Sequence, residues 1–495
     1  MNSQKELVNA LRAGFSLFYA KTDEMGRTVS LICEAVTGFK NKAGIAPYQT
    51  VIWDLEKDKD PDQVIEILGS KSTVGTVVVA KNFNWFLFDD VGNPNKQYVQ
   101  SIQNKLSLIS SKEFRHALVI VSDAPFEKAI PETLKQEFLK ISFSLPSREE
   151  VVGIYDYIVE SAKELDGFEM PDDAEKSSIV DSAVGLTKQN ATQAISMGLI
   201  AGDGRIDPKV VSSFRAAKIE DVAGLKVGNY EVPEPRGYDQ VKKFALAGVD
   251  NDMAKGILLL GPPGCGKTLF AKWLSTQSKK ILIEMEMAKM QGEGLYGQAE
   301  NAWAKAIDTV KAVGKSILFV DEIEKGLPNR TKGIGVQDQT GQRSASQFLK
   351  FLSDDRPAGC YVIATCNDIS SLPPEWVRAE RWDCAPFFID LPNADEREDI
   401  FTYYLNVYDV KPGKLTAADD CMEGWSGAEI KTVCRLAALH KTNCDKVSRY
   451  VIPVSKTMGE SIDSLRAWAK DKTIPASTKF IGANGETKRT RGVEL

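Results

Sequence analysis

The stretch Gly261-Pro-Pro-Gly-Cys-Gly-Lys-Thr268 constrains this chain more than any other. It follows an apolar run, Ile257 to Leu260, that reads as a buried parallel strand. Behind it a helical spacing begins at once, with Leu269, Phe270, Trp273 and Leu274. Strand, glycine-rich turn and helix, in that order, is the setting a phosphate-binding loop needs. The glycines let backbone N–H groups close around phosphate oxygens with no Cβ in the way. The helix N-terminus adds the positive end of its dipole. Gly261, Pro262, Pro263, Gly264, Cys265, Gly266, Lys267, Thr268 and Leu269 are therefore expected to line a nucleotide site. Lys267 would reach the β- and γ-phosphates, and the Thr268 hydroxyl would join a Mg²⁺ shell. A turn that binds nothing has no use for the whole pattern at that junction.

Three further stretches follow in order. Ser316-Ile-Leu-Phe-Val-Asp-Glu-Ile323 reads as an apolar strand delivering two acids at its C-terminal end, where open α/β sheets bind ligands. Asp321 would orient Mg²⁺ and Glu322 would polarise an attacking water. Adjacent acids on a strand point to opposite sides and can hold different tasks. Tyr361-Val-Ile-Ala-Thr-Cys-Asn367 is a strand ending in an amide that can hydrogen-bond a γ-phosphate and a water. Arg378 and Arg381 come next, three residues apart. They read equally well as solvated arginines or as donors to transition-state charge in a neighbouring subunit.

Together these motifs resemble the AAA ATPases over roughly residues 219–455, joined there by Gly424-Trp-Ser-Gly-Ala-Glu-Ile430. The resemblance implies a P-loop NTPase of the α/β class, its parallel sheet flanked by helices and followed by a helical lid. It implies ATP and Mg²⁺ as cofactors, with Thr268 and Asp321 at the metal. It makes Glu322, Asn367, Arg378 and Arg381 catalytic, the two arginines acting in trans. Gly427 and Ala428 become lid residues at the nucleotide, and Ile219 to Leu225 an entry segment near the adenine. A homo-oligomer in the form of a hexamer-like ring and an unknown protein client to be remodelled are implied too. Leu295 and Tyr296 fall where the family carries a pore loop, though Gly294 stands where a basic residue is common. Against the remodelling reading stands a nucleotide-switched scaffold or DNA-associated loader with low turnover. A solitary P-loop kinase would leave the later motifs unexplained.

Ahead of this module, residues 1–205 alternate strand-like and helix-like segments, as a mostly parallel sheet requires. Phe15–Ala20, Thr50–Leu55, Gly75–Ala80 and Ala117–Ser122 read as strands; Thr28–Thr37, Pro61–Leu68 and Val99–Leu108 read as helices. Ser144-Leu-Pro-Ser-Arg-Glu-Glu150 parallels Asp390-Leu-Pro-Asn-Ala-Asp-Glu396, and Gly185–Ala194 parallels Gly424–Val433. Such echoes suggest duplication of one module. The first copy has Lys21-Thr-Asp-Glu-Met-Gly-Arg27 where the phosphate loop should be, and Ala80-Lys-Asn-Phe-Asn84 where the acid pair should be. We read it as a degenerate, nucleotide-dead AAA-like domain; the alternative is an unrelated α/β domain, against which only these parallels speak. The expected organisation is then 1–205 for that domain, 206–253 for a linker and entry segment, and 254–395 for the ATPase domain. The lid would be 396–470, and 471–495 a polar, flexible tail.

A formal net charge of −6 over 495 residues argues against an extended nucleic-acid footprint. No apolar run approaches the ~20 residues a membrane helix needs, so no membrane partner is expected. Eight scattered cysteines without a Cys-x-x-Cys pair suggest neither a disulfide framework nor a zinc site, and a reducing compartment, cytoplasm or plastid stroma. The two histidines, His116 and His440, offer little for catalysis.

Overall fold

Apolar runs of five to seven residues without polar alternation must be covered on both faces. In the computed structural model such runs form two sheets. The structure describes residues 3–40, 47–58, 60–72, 74–109, 116–164, 167–222, 224–228, 230–290, 298–326, 346–369, 372–378, 380–416, 422–477, 479–481 and 487–489. Its packing defines a first unit, Met1–Ala162 with Thr187–Gln193, and a second, Lys163–Leu186 with Ala194–Leu495.

The first unit holds β1 (Leu17–Lys21), β2 (Tyr48–Trp53), β3 (Gly75–Lys81), β4 (Ala117–Ser122) and β5 (Phe138–Ser142). They lie in the order β2-β3-β4-β1-β5, all parallel. Alternate residues feed two cores, one on each face. Phe18, Val77, Val79 and Val119 enter one; Tyr19, Val78, Leu118 and Ile120 enter the other.

The second unit holds β6 (Leu225–Gly228), β7 (Gly256–Leu260), β8 (Ile281–Glu286), β9 (Ser316–Asp321), β10 (Cys360–Cys366), β11 (Phe387–Phe388) and β12 (Ile474–Pro475). Their order is β12-β11-β7-β10-β9-β8-β6, with β6 antiparallel to β8 and the other pairs parallel. Leaving out β6 and β12, the strands of this sheet counted from β7 run 5-1-4-3-2, and those of the first sheet counted from β1 do the same.

The echoes read from sequence have matching local geometry. The backbone N–H of Ser147 donates to Glu150 and that of Glu150 returns to Ser147, a reciprocal cap repeated by Asn393 and Glu396. Gly185 and Gly424 both take positive φ, 90° and 74°, three residues before a helix begins. The residue after the third strand is left-handed in each unit: Asn82 at φ 52° and Glu322 at φ 49°.

Two expectations need correction. The border near residue 205 falls inside the second unit, because the helix Asp173–Ala183 packs against Pro208–Glu220, and the latter against β6. The first part of the supposed flexible tail is folded. β12 pairs with β11, Ala476 is buried, and the Ala476 carbonyl accepts from the N–H groups of Gln240 and Val241. Apolar Ile474 and Ala476 find cover at the sheet edge, which a reading by overall polarity misses. No described helix is long and apolar enough to cross a membrane.

His116 is buried between β3 and Ser70: its Nδ1 accepts from the Thr76 N–H at 3.1 Å, and its Nε2 lies 2.7 Å from the Ser70 carbonyl. Cys360, Cys366 and Cys434 are buried thiols, and no metal-holding cluster occurs among the described residues.

Candidate functional site

The carboxyl ends of β7, β9 and β10 open on a cavity of about 400 Å³. Parallel strands put their C-terminal loops on one side of the sheet, which is why residues far apart in sequence meet here. Pro263 to Leu269, Asp321, Glu322, Asn367, Gly427 and Ala428 all line it. Gly261 and Pro262 stand behind the lining, where their carbonyls accept from Lys267 Nζ at 2.8 Å each. Lys267 is buried, and that burial pulls its pKa below the ordinary lysine value against the opposing pull of the nearby acids.

The loop between β7 and the helix Lys267–Ser278 is shaped by contacts that exclude side chains. Gly264 has φ 79°, and a Cβ there would lie 2.8 Å from Ser426 Oγ. Its carbonyl accepts from the Ala428 N–H at 3.1 Å, which joins the loop to the start of the lid helix Gly427–Leu439. Gly266, at φ 95°, caps the helix behind the loop. Tyr238 supports the loop from below: its hydroxyl donates to the Cys265 carbonyl at 2.7 Å and its ring stacks on Phe270. Burial pushes the Cys265 thiol up to about 12, so it is no nucleophile at neutral pH.

Both acids line the cavity, Asp321 from the end of β9 and Glu322 from the residue after it. Thr268 Oγ1 lies 3.3 Å from Asp321 Oδ2, and Thr365 Oγ1 donates to Asp321 Oδ1 at 2.6 Å. Hard oxygen donors at this spacing suit Mg²⁺, which would be held by Thr268 and Asp321 with waters completing its shell. Glu322 sits in the left-handed region, which costs a non-glycine residue about 1–2 kcal/mol. Its N–H donates to Thr365 Oγ1 at 2.9 Å. Asn367 Nδ2 donates to Glu322 Oε1 at 3.0 Å, and Lys325 pairs with the same carboxylate. Asn367 Oδ1 is buried without a partner, an acceptor that a water beside Glu322 would satisfy.

Arg378 and Arg381 do not line the cavity. Arg378 is exposed; Arg381 is half-buried, with Nε and Nη1 lacking partners. Their turn is tied to the sheet, because the Asp383 carboxylate accepts from the N–H groups of Lys255 and Gly256 at 2.8 Å each. Leu295 and Tyr296 lie outside the described residues.

The entry segment is placed differently from expectation. Ile219, Val222 and Leu225 are buried with Met285, Met287 and Trp303, and none lines the cavity. Pro233, Pro235, Arg236 and Tyr238 line it instead, facing Ile400, Tyr403, Tyr404 and Lys431 of the lid. The apolar spacing of 219–225 marks core packing. The proline-containing run that follows lies within the expected linker, 206–253, yet contributes to the lining. Thr365 was also missed, although a lone hydroxyl in a buried strand is itself a signal that something polar stands opposite.

At the matching places of the first unit this chemistry is gone. Lys81 ends β3 and pairs with Val121, where Asp321 ends β9 one residue past the Ala364–Val320 pair, beside Thr365. Lys81 pairs with Asp54 at 2.6 Å. Only residues 22–24 join β1 to its helix Met25–Gly38, where residues 261–266 join β7 to Lys267–Ser278.

Residues 257–388 match the family model of the ATPase family associated with various cellular activities (AAA). Residues 3–143 match that of the SpoVK-like AAA ATPase N-terminal domain. Along almost the whole chain there is similarity to the "Uncharacterized AAA domain-containing protein ycf46" of Trieres chinensis, 24% identical over 98% of this chain and 100% of that protein. The protein of the same name from Guillardia theta is 25% identical over 95% of each. The proteasome-activating nucleotidase of Archaeoglobus fulgidus is 30% identical over 44% of this chain and 55% of its own length.

Proposed function

From a chain that joins a SpoVK-like N-terminal domain to an AAA ATPase domain, we propose an ATP hydrolase that couples nucleotide turnover to remodelling of a protein partner. The observation that carries the reading is the convergence of Lys267, Thr268, Asp321, Glu322 and Asn367 on one cavity. In this reading the loop N–H groups and Lys267 hold the phosphates, with Lys267 leaving its carbonyl partners for them. Mg²⁺, when bound by Thr268 and Asp321, would neutralise phosphate charge. Glu322 and Asn367 orient a water toward the γ-phosphorus, and Glu322 takes up its proton. Arg236, Tyr403 and Tyr404 also line the cavity and would flank the base.

Arg378 and Arg381 belong to the reading as donors offered to a neighbouring copy, in a ring of identical chains. The exposure of Arg378 and the position of both arginines outside the cavity support that role. The similarity to proteasome-activating nucleotidases supports a protein client. A cytoplasmic or plastid-stromal setting belongs to the same reading.

The test is Glu322→Gln. Turnover should fall by roughly 10²–10⁴, the usual contribution of a positioned general base, while ATP stays bound. Phosphate release and nucleotide retention are read on the same preparation. A variant that turns over at the parental rate would reject the assignment.

A further inference from the structure

Thr365 is fully buried near the end of β10, directly beside the strand that carries the two acids. The register pairs Ala364 with Val320, so the next residue on each strand, Thr365 and Asp321, lie side by side. A hydroxyl has one proton to give and lone pairs to accept with. Here both capacities are used: the proton goes to Asp321 Oδ1 at 2.6 Å, and a lone pair receives the Glu322 N–H at 2.9 Å.

Two consequences follow. Asp321 is held by one oxygen, and its Oδ2 is the one that faces Thr268 Oγ1. Glu322 is tied by its backbone in the left-handed conformation that turns its side chain toward Asn367. One buried hydroxyl thus fixes both acids. The first unit supplies an internal comparison. With Lys81 in place of Asp321, Val121 replaces Thr365: acid and hydroxyl are absent together.

Resting on the ATPase reading above, we propose that Thr365 is a positioning residue for the metal end of the site. It presents Asp321 Oδ2 to the cation and sets the backbone from which Glu322 works, without itself touching nucleotide or metal. Valine keeps the shape of threonine and removes the hydroxyl; serine keeps the hydroxyl.

The experiment uses the full chain with Thr365→Val, Thr365→Ala and Thr365→Ser. Mn²⁺ affinity in the presence of a non-hydrolysable ATP analogue is read by paramagnetic resonance. Analogue binding in EDTA and Mg²⁺-dependent turnover are read alongside. We expect Thr365→Val and Thr365→Ala to weaken Mn²⁺ binding and to raise the half-saturating Mg²⁺ concentration about tenfold. Analogue binding in EDTA should be unchanged, and Thr365→Ser should stay within about twofold of the parent. Parental Mn²⁺ affinity in whichever of the valine and alanine variants folds would overturn the role of Thr365 while leaving the hydrolase reading intact. A parent chain that binds no analogue would overturn the hydrolase reading itself, and this proposal with it.

Discussion

Lys81 and Asp321 show how much a single residue can decide. Each ends the third strand of its sheet, and each is followed by a left-handed residue. Asp321 meets Thr268 and Thr365, whereas Lys81 meets Asp54. The hydrogen bond from Lys81, ahead of its bare charge, holds the Asp54 carboxyl below the usual carboxylate range. A depressed carboxyl pKa stabilises the fold above the unfolded value, near 4, and that contribution is lost as pH falls through the folded value. Lys81→Ala should therefore destabilise the chain at pH 7 by about 0.2–1 kcal/mol, as a partly exposed pair permits. The deficit should shrink as pH falls from about 4 toward pH 3. Urea unfolding of parent and variant at the two pH values measures it, and a deficit undiminished in acid would point to lost packing by the lysine stem.

At the scale of elements, the phosphate loop and the lid helix act as one joint. Gly264→Ala would put a methyl group 2.8 Å from Ser426 Oγ at a φ of 79°. Nucleotide affinity should fall by at least tenfold, because the loop must leave its position or the lid must move. Calorimetric titration with ATP analogues reads this directly, and Gly314→Ala, also at positive φ but with open space around it, is the control for backbone strain alone. Elements of this type were legible where the chain is locally consistent. Ala117–Ser122 is the strand expected, and Gly75–Lys81 differs by one residue, since buried parallel strands are written as unbroken apolar runs. The helix expected from Thr28 starts at Met25, and the strand expected at Phe15 starts at Leu17. Short edge strands were not legible. Leu225–Gly228 and Ile474–Pro475 exist only because a neighbouring strand supplies their hydrogen bonds, and nothing local encodes that. The phosphate loop and the acid pair could be read because each motif is contiguous. Arg236, Tyr403 and Tyr404 reach the cavity only through the tertiary fold.

For the molecule as a whole, two sheets with the same strand order carry one set of site residues between them. ATP should therefore bind with a stoichiometry of one per chain, and Lys267→Ala should abolish binding rather than halve it. Calorimetry on parent and variant decides the matter, since residual binding at the first unit would show as a second class of site. The first unit differs from the second both in side chains and in main chain, and the two differences are not alike. Exchanging Lys81 and Val121 for acid and hydroxyl would be a matter of two codons. The connection between β1 and its helix is different, because residues 22–24 span what 261–266 span in the other unit. Three residues' worth of main chain is missing, and with it the amide groups that would face an anion. A side chain can be exchanged one letter at a time, but an absent turn of main chain cannot, so the first unit lacks the frame for an anion and not merely the groups that would decorate it.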